Sequence, residues 1–156
     1  MIKVRFSPFI QELIEFNVEL NGIPIADSQG KDVTVNWKMF NGFDAGETFW
    51  TDSNSLEMEQ RNIRKLIRED ETIAGNMYPI TSAIAMRDFK NGSNTQITVM
   101  NDRAQGGAAD LSDRSTIELI QHRRLTRDDD KGVIEPLDET NSFDDYAIQV
   151  NARYFV

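Results

Sequence analysis

Apolar and polar residues alternate with a period of two through most of this chain. The clearest stretch runs from Ile14 to Leu20, where apolar side chains at every second position are separated by Glu15, Asn17 and Glu19. This is the period of a half-buried β-strand. Comparable patterns predict further strands at 33–39, 46–51, 56–61, 78–88, 96–102, 117–120 and 145–155.

Turn signals separate these predicted strands. Asn-Gly pairs stand at 21–22, 41–42 and 91–92, and an Asp-Ser-Asn turn stands at 52–54. Seven or eight short strands divided by such turns predict an antiparallel β-sandwich, arranged largely as a meander of hairpins. The chain has 156 residues, and we expect it to form a single domain.

Two segments fit more than one structure. Residues 2–13 contain Pro8 and are compatible either with a helical apolar face or with an extended chain on both sides of the proline. Residues 60–70 (QRNIRKLIRED) carry three apolar residues at helical spacing, so propensity alone favours a short helix there.

Charge and composition exclude several classes of function. The chain has 26 acidic and 17 basic residues, a formal net charge of −9 and a pI near 4.6, which disfavours binding to nucleic acid or to anionic membranes. It has no cysteine, so disulfides and thiolate metal sites are excluded. No apolar run approaches the roughly 20 residues needed to cross a bilayer.

The stretch from Gln96 to Leu137 carries the most polar chemistry. A predicted strand leads into Gly106-Gly107, and adjacent glycines indicate either a bend through positive φ or a close approach to another surface. A second glycine-containing turn, 128–132, follows the next predicted strand. We therefore predict that two polar loops on neighbouring elements form a functional edge.

Five blocks of sequence carry a family resemblance: FWTDSN (49–54), AGNMYP (74–79), DRAQGG (102–107), IELIQHRRL (117–125) and DDDKGVIEPL (128–137). They resemble segments of glycoside hydrolase family 38 α-mannosidases of the lysosomal type. Together with two shorter segments that also resemble the family, IPI (23–25) and GKDV (30–33), the blocks stand in the family's order and cover roughly residues 20 to 140. The resemblance implies that residues 1–156 are part of the C-terminal supersandwich, a galactose-mutarotase-like β-domain, of a longer enzyme. It also implies an extended chain, hence a strand, at 60–70.

The resemblance further implies a division of labour. Family members hydrolyse terminal α-mannosides, and the nucleophile and zinc ligands belong to an N-terminal catalytic domain. That domain and mannose-containing glycans are the expected partners, with zinc in the parent enzyme and no cofactor in this chain. A zinc site needs more than one imidazole or thiolate. Because His122 is the only histidine, we expect it to pack or hydrogen-bond within a strand.

In the family, the DDxRG turn helps to line the mannose pocket through a main-chain carbonyl at the arginine position. Lys131 occupies that position here, which keeps the charge but loses bidentate hydrogen bonding. Residues predicted for the substrate rim or the domain interface are Arg103, Gln105, Gly106, Gly107, Asp128, Asp129, Lys131 and Gly132.

Structural roles remain open for the same residues. The glycines could serve a tight bend, with Arg103 and Gln105 tying the loop to nearby carbonyls. The 128–132 turn fails the calcium-loop pattern, so Asp128 or Asp129 is expected to bond local amides. Arg123-Arg124 is expected to form internal ion pairs, for which this turn is one candidate partner.

Other functions and the cellular location also remain open. Exposed aromatics could make the chain a carbohydrate-binding module; the candidates are Trp37, Trp50, Phe43 and Tyr78, of which Trp37 fits a core position better. A structural or oligomerisation domain is the third alternative. Asn91 begins an N-glycosylation triplet. The resemblance favours the lysosome or another secretory compartment, while a cytosolic location stays open.

Overall fold

Eleven β-strands and one short 3-10 helix make up the described part of the protein. The structure is a computed structural model, and it describes residues 1–24, 26–64, 74–90, 94–110, 113–128, 130, 132, 134, 136–141 and 150–156. In chain order the strands are β1 (Ile2–Phe6), β2 (Ile14–Leu20), β3 (Lys31–Lys38), β4 (Thr48–Ser53), β5 (Glu57–Asn62), β6 (Tyr78–Ile80), β7 (Ala83–Arg87), β8 (Gln96–Asn101), β9 (Gln105–Ala109), β10 (Thr116–Arg124) and β11 (Val150–Phe155). The 3-10 helix, Ala74–Asn76, precedes β6. Over these ranges no helix is long and apolar enough to span a bilayer.

The strands form two antiparallel sheets packed face to face. The long sheet has the order β1-β2-β11-β8-β7-β4-β5, and the short sheet has the order β3-β10-β9-β6. The predicted all-β antiparallel sandwich is therefore confirmed. The number of strands exceeds the seven or eight expected, because short strands such as β6 leave too few residues for a clear alternation.

Apolar side chains at alternate strand positions fill the space between the sheets. The long sheet contributes Phe49, Ile84 and Val99, and the short sheet contributes Ile117 and Leu119, all fully buried. Successive side chains of a strand point to opposite faces, so the period of two in the sequence becomes one apolar and one solvent-facing side. Each such burial stabilises the fold by about 1.5–3 kcal/mol.

A buried carboxylate divides the segment 78–88, which the sequence pattern predicts as one strand. The segment is instead two strands in different sheets, β6 in the short sheet and β7 in the long sheet. Between them, the Oδ1 atom of Asp52 accepts hydrogen bonds from the backbone N–H groups of Thr81, Ser82 and Ala83 at 2.9, 3.0 and 3.1 Å. These bonds replace sheet hydrogen bonds at the corner, which is why the single-strand prediction is wrong.

The order of connections differs from the predicted meander. Hairpins join β1 to β2, β4 to β5, β7 to β8 and β9 to β10. Each remaining connection passes from one sheet to the other. The turn signal at 21–22 thus starts a crossover from β2 to β3 instead of a hairpin. Crossing is favoured because each sheet needs the other to cover its apolar face.

The two ambiguous segments resolve toward extended structure where they are described. Residues 2–6 form β1, paired with β2, so the helical alternative is wrong there. Residues 60–62 belong to β5, and 65–70 lie outside the described residues. The predicted strand at 145–155 is present as β11 from Val150 onward, and 145–149 also lie outside the described residues.

The long sheet extends beyond the short one at the β1 edge. Ile2, Val4 and Phe6 stand opposite Val18, Phe16 and Ile14 of β2, respectively. Cross-strand partners share a face, so these three side chains continue the apolar inner face past the short sheet. All of β1 is exposed.

Candidate functional site

The glycine pair at 106–107 lies in a strand, so the predicted polar loop at this position is wrong. Gly107 pairs with Tyr78 of β6 on one side and with Leu119 of β10 on the other. A Cβ atom at Gly107 would lie 2.4 Å from Leu119 Cδ2 and 2.8 Å from Ile80 Cγ1. Of the two predicted reasons for the glycines, close approach to a neighbouring surface is therefore the one that holds at Gly107.

Gln105 points into the sandwich and joins the two sheets. Its Nε2 atom donates to the carbonyl oxygen of Ile120 at 2.9 Å and to the hydroxyl of Tyr154 at 2.8 Å. The Tyr154 hydroxyl in turn donates to Oε1 of Gln121. Burial raises the pKa of Tyr154, so the hydroxyl stays protonated in this network. We name Gln105, Gln121 and Tyr154 the inter-sheet network.

Arg103 ties the β8–β9 turn to the last strand. Its Nη2 atom donates to the carbonyl oxygen of Asn151 in β11, and its Nε atom lies 3.3 Å from Oδ1 of Asp102. Asn101 donates from Nδ2 to the carbonyl oxygens of Ile80 and Arg103. These contacts match the structural role predicted for Arg103, while its role at a substrate rim stays a prediction.

A shallow hollow on the outer side of the short sheet brings several predicted residues together. It has a volume of about 510 Å³ and is lined by Ala74, Met77, Tyr78, Pro79, Ala104, Gln105, Gly106, Ile120 and Arg123. The AGNMYP and DRAQGG blocks therefore meet on one surface. Arg61 covers the ring of Tyr78 at 4.7 Å from its centroid, so one face of that ring is already occupied.

The 128–132 turn is described only at Asp128, Asp130 and Gly132; Asp129 and Lys131 lie outside the described residues, as does Asn91. The backbone N–H of Asp130 donates to Oδ2 of Asp128 at 3.2 Å, which confirms the predicted local amide bond. Asp130 has a φ of 57° and Gly132 a φ of 146°, both in the region that favours glycine.

The paired arginines behave differently from each other. Arg123 forms two hydrogen bonds with Asp32 of β3, at 2.7 and 2.8 Å, and this carboxylate raises the pKa of Arg123. Arg123 therefore forms the internal ion pair predicted for it, with Asp32 of β3, while a contact with the 128–130 turn stays a prediction because Asp129 lies outside the described residues. Arg124 is 8% exposed, and its Nε and Nη1 atoms are buried without a hydrogen-bond partner.

A β-bulge decides which of the two adjacent arginines faces the inner side of the sheet. Strand β10 pairs with β3 continuously through Ile120, skips Gln121 and resumes at His122 opposite Val33. The extra residue shifts the alternation by one position. Arg123 consequently faces the outer hollow with Ile120, and Arg124 turns to the inner side of the sheet.

The described residues contain no cluster suited to a metal ion. Among them, no group of three or more His, Cys, Asp or Glu side chains comes together. His122 is half-buried within β10, and its Nε2 atom is buried without a hydrogen-bond partner. One imidazole without cooperating ligands does not fit a zinc site.

The aromatic candidates for sugar stacking separate into buried and accessible groups. Trp37 is 8% exposed and packs edge-on against Tyr154, with ring centroids 4.7 Å apart, so it belongs to the core. Trp50 is half-buried beside the exposed Phe89, with centroids 5.7 Å apart, and Arg87 lies over its ring at 5.0 Å. Phe43 packs partly buried against the core.

Sequence reasoning missed the buried role of Asp52 and the inter-sheet network. Asp52 lies in the FWTDSN block, which pointed to a family resemblance but not to a corner. Gln121 and Tyr154 lie in different sheets, and no local pattern in the sequence links them.

Comparison with known proteins identifies a family. The profile described as "Glycosyl hydrolases family 38 C-terminal domain" matches residues 11–131. Lysosomal alpha-mannosidase of Bos taurus is 38% identical over 98% of this chain and 14% of its own length. The human lysosomal alpha-mannosidase is 38% identical over 89% of this chain and 13% of its own. A probable alpha-mannosidase of Arabidopsis thaliana is 33% identical over 93% of this chain and 14% of its own.

Proposed function

This chain belongs to the C-terminal domain family of the family 38 glycosyl hydrolases, and from that premise we propose that it is the supporting β-domain of an α-mannosidase. In this proposal the complete enzyme hydrolyses terminal α-mannosides of glycans. The domain braces the catalytic domain and contributes to the rim of the active site. The chain spans about 14% of the length of the curated relatives it matches, which leaves ample polypeptide for a catalytic domain.

The match over residues 11–131 is the observation that carries the proposal. Residues from the matched blocks, including Tyr78, Gln105 and Arg123, meet at the hollow on the short sheet. This hollow is shallow and open, so it suits a surface that packs against a neighbouring domain better than a site that encloses a sugar.

The bond-breaking groups are proposed to lie outside this chain. A retaining glycosidase needs two carboxyl groups about 5–5.5 Å apart, and zinc needs several imidazole or carboxylate ligands. The described residues offer no such metal cluster. We therefore assign the nucleophile and the zinc of the proposed enzyme to its catalytic domain, and no step of hydrolysis to residues of this chain.

The 128–132 turn is proposed to approach the mannose pocket. A carbonyl oxygen at position 131 would accept a hydrogen bond from a sugar hydroxyl, as the family resemblance implies. The left-handed φ at Asp130 and the positive φ at Gly132, values typical of turn residues, support this proposal.

The test uses an aryl α-mannoside and two proteins. The isolated 156-residue chain, with zinc added, should release no aryl alcohol, whereas the full-length polypeptide that carries this domain should release it. Turnover by the isolated chain that a chelator abolishes would contradict the proposal, and so would an inactive full-length polypeptide.

A carbohydrate-binding module is the second candidate function, favoured by the accessible Trp50–Phe89 pair. An aromatic face of this kind can stack against the apolar face of a sugar ring. Titration of the isolated chain with mannose oligosaccharides, followed by tryptophan fluorescence, should give a saturable change that Trp50→Phe reduces. An unchanged signal at high ligand concentration would exclude this candidate.

The location of the proposed enzyme follows its relatives. The names of several relatives include the lysosome, and we propose a lysosomal or other secretory compartment. Glycosylation of Asn91 then becomes a testable consequence: endoglycosidase treatment of secreted protein should lower its mass, and Asn91→Gln should remove that difference.

A further inference from the structure

Arg124 is a buried cation for which the described part of the chain supplies no partner at two of its nitrogens. The residue is 8% exposed, and its Nε and Nη1 atoms are buried without a hydrogen-bond partner among the described residues. Burying an unpaired charge is costly, because the group loses water and gains nothing in return. An arginine in this state implies that an anion completes the site.

The charges around Arg124 increase this demand. Lys31 stands directly opposite Arg124 in the β3–β10 ladder, and like charges in that position repel. Two carboxylates described at this end of the ladder are already engaged: Asp32 binds Arg123 at 2.7 Å, and Asp27 binds Lys31 at 2.7 Å. Neither carboxylate is left over for Arg124.

His122 supplies an independent second observation. Side chains two positions apart in a strand share a face and lie roughly 7 Å apart along it, so the bulge places His122 and Arg124 on the same inner side. The Nε2 atom of His122 is also buried without a partner. One face of β10 therefore carries three buried nitrogens without a hydrogen-bond partner among the described residues: Nε2 of His122, and Nε and Nη1 of Arg124.

We propose that Arg124, flanked by His122, is the receptor for a carboxylate side chain carried by the part of the α-mannosidase polypeptide outside this chain. This inference rests on the proposed function and names the chemistry of one docking contact. A guanidinium binds a carboxylate with two parallel hydrogen bonds, and a buried pair of this kind specifies the orientation of the partner. The bulge at Gln121 creates the receptor by turning Arg124 inward.

The first experiment probes the site itself with acetate on the isolated chain. The Nε–H resonance of Arg124 in an NMR spectrum should shift saturably with sodium acetate, while that of Arg123, already bound to Asp32, should not shift. Arg124→Lys removes this resonance and therefore assigns it in the spectrum. No shift, or an equal shift with sodium chloride at the same ionic strength, would overturn the proposal.

The second experiment tests docking through opposite signs in two contexts. Arg124→Met in the isolated chain removes an unpaired charge, so its urea midpoint should equal or exceed that of the parent. In the full-length polypeptide the same change leaves the proposed partner carboxylate without a cation. The half-life of activity at elevated temperature should therefore fall at least tenfold. Arg123→Met, which breaks a formed pair, should weaken the protein in both contexts.

These outcomes separate the two proposals. A loss of stability on Arg124→Met in both contexts would make Arg124 an ordinary packing residue and overturn the inference. An inactive full-length polypeptide would instead defeat the proposed function, while the acetate titration would still decide whether the carboxylate receptor exists.

Discussion

The carboxylate of Asp52 stabilises both the corner between β6 and β7 and the hairpin between β4 and β5. Its Oδ1 atom accepts from the N–H groups of Thr81, Ser82 and Ala83, and its Oδ2 atom accepts from that of Ser55 at 2.8 Å. Burial alone would raise the pKa of Asp52, but these four donors outweigh it, and the net shift lowers the pKa. The ionised carboxylate is thus the form that the fold requires.

Stability should depend on pH through Asp52. Its folded-state pKa lies below the unfolded value of about 3.9, so its contribution is present above about pH 4 and is lost as the pH falls through the folded-state pKa. Asp52→Asn should lower the free energy of unfolding by about 2 kcal/mol at pH 7. In urea unfolding, the variant's free energy of unfolding should also fall less steeply as the pH is lowered below about 4. Glu57→Gln, an exposed change on the neighbouring strand, should cost less than about 0.5 kcal/mol. An equally steep loss of stability below about pH 4 in Asp52→Asn and in the parent protein would contradict this role.

Gly107→Ala should destabilise the protein by about 1–3 kcal/mol through overpacking. The added methyl group would overlap Leu119 Cδ2 at 2.4 Å and approach the backbone carbonyl oxygen of Glu118 at 3.1 Å. Gly106→Ala is the matched control, because its methyl group meets only the flexible Cδ1 end of Ile120 at 3.2 Å and that carbon's Cγ1 neighbour at 3.8 Å. Equal urea midpoints for the two variants would show that the close approach at 107 is relaxed in solution.

At the scale of elements, the alternation of apolar and polar residues predicts those strands that bury one face in the core and expose the other. The strands β2, β3 and β8 agree closely with their patterns because each has one face in the core. The predictions that are wrong depend on distant contacts. The corner at 81–82 depends on a carboxylate 29 residues away from Thr81. The bulge at Gln121 depends on register with β3, which no period within β10 reveals.

The inter-sheet network should contribute measurably to stability. Tyr154→Phe removes the donor to Gln121 and the acceptor of Gln105 while leaving the ring against Trp37. Unpaired buried groups cost about 1–3 kcal/mol, so we expect a loss in that range by urea unfolding.

Tyr78→Phe is the control for the loss of a hydroxyl. The Tyr78 hydroxyl accepts a bond at 3.0 Å from an exposed arginine, Arg64, so its removal should cost less than about 0.5 kcal/mol. A loss for Tyr154→Phe as small as that of the control would mean that water replaces the hydroxyl.

At the scale of the whole molecule, the resemblance identified blocks of the sequence but did not predict how they meet in the fold. The hollow combines residues 74–79 with 104–106 because β6 pairs with β9. That pairing depends on the crossover from the long sheet. The inward turn of Arg124 was equally hidden, since the arginine pair reads in sequence as two equivalent cations.

The isolated chain should self-associate through its overhanging edge. Ile2, Val4 and Phe6 are 63%, 47% and 75% exposed and form one apolar row on an edge strand; such edges promote association. Light scattering from micromolar to millimolar concentration should give masses rising above 17.8 kDa. Phe6→Lys should suppress the rise.

Leu56→Lys provides the comparison, because Leu56 is 87% exposed at the tip of the β4–β5 hairpin, away from this edge. It should leave the association unchanged. A chain that stays monomeric at every concentration would contradict self-association through the β1 edge.

The position of β11 has a consequence for biosynthesis. This strand comes last in the chain, yet it lies between β2 and β8 and pairs with both. While a ribosome is still translating the preceding residues, the two parts of the long sheet lack the segment that joins them. Assembly of this domain is therefore expected to wait until residue 155 has left the exit tunnel, and chaperones would meet a chain with two unjoined half-sheets until then.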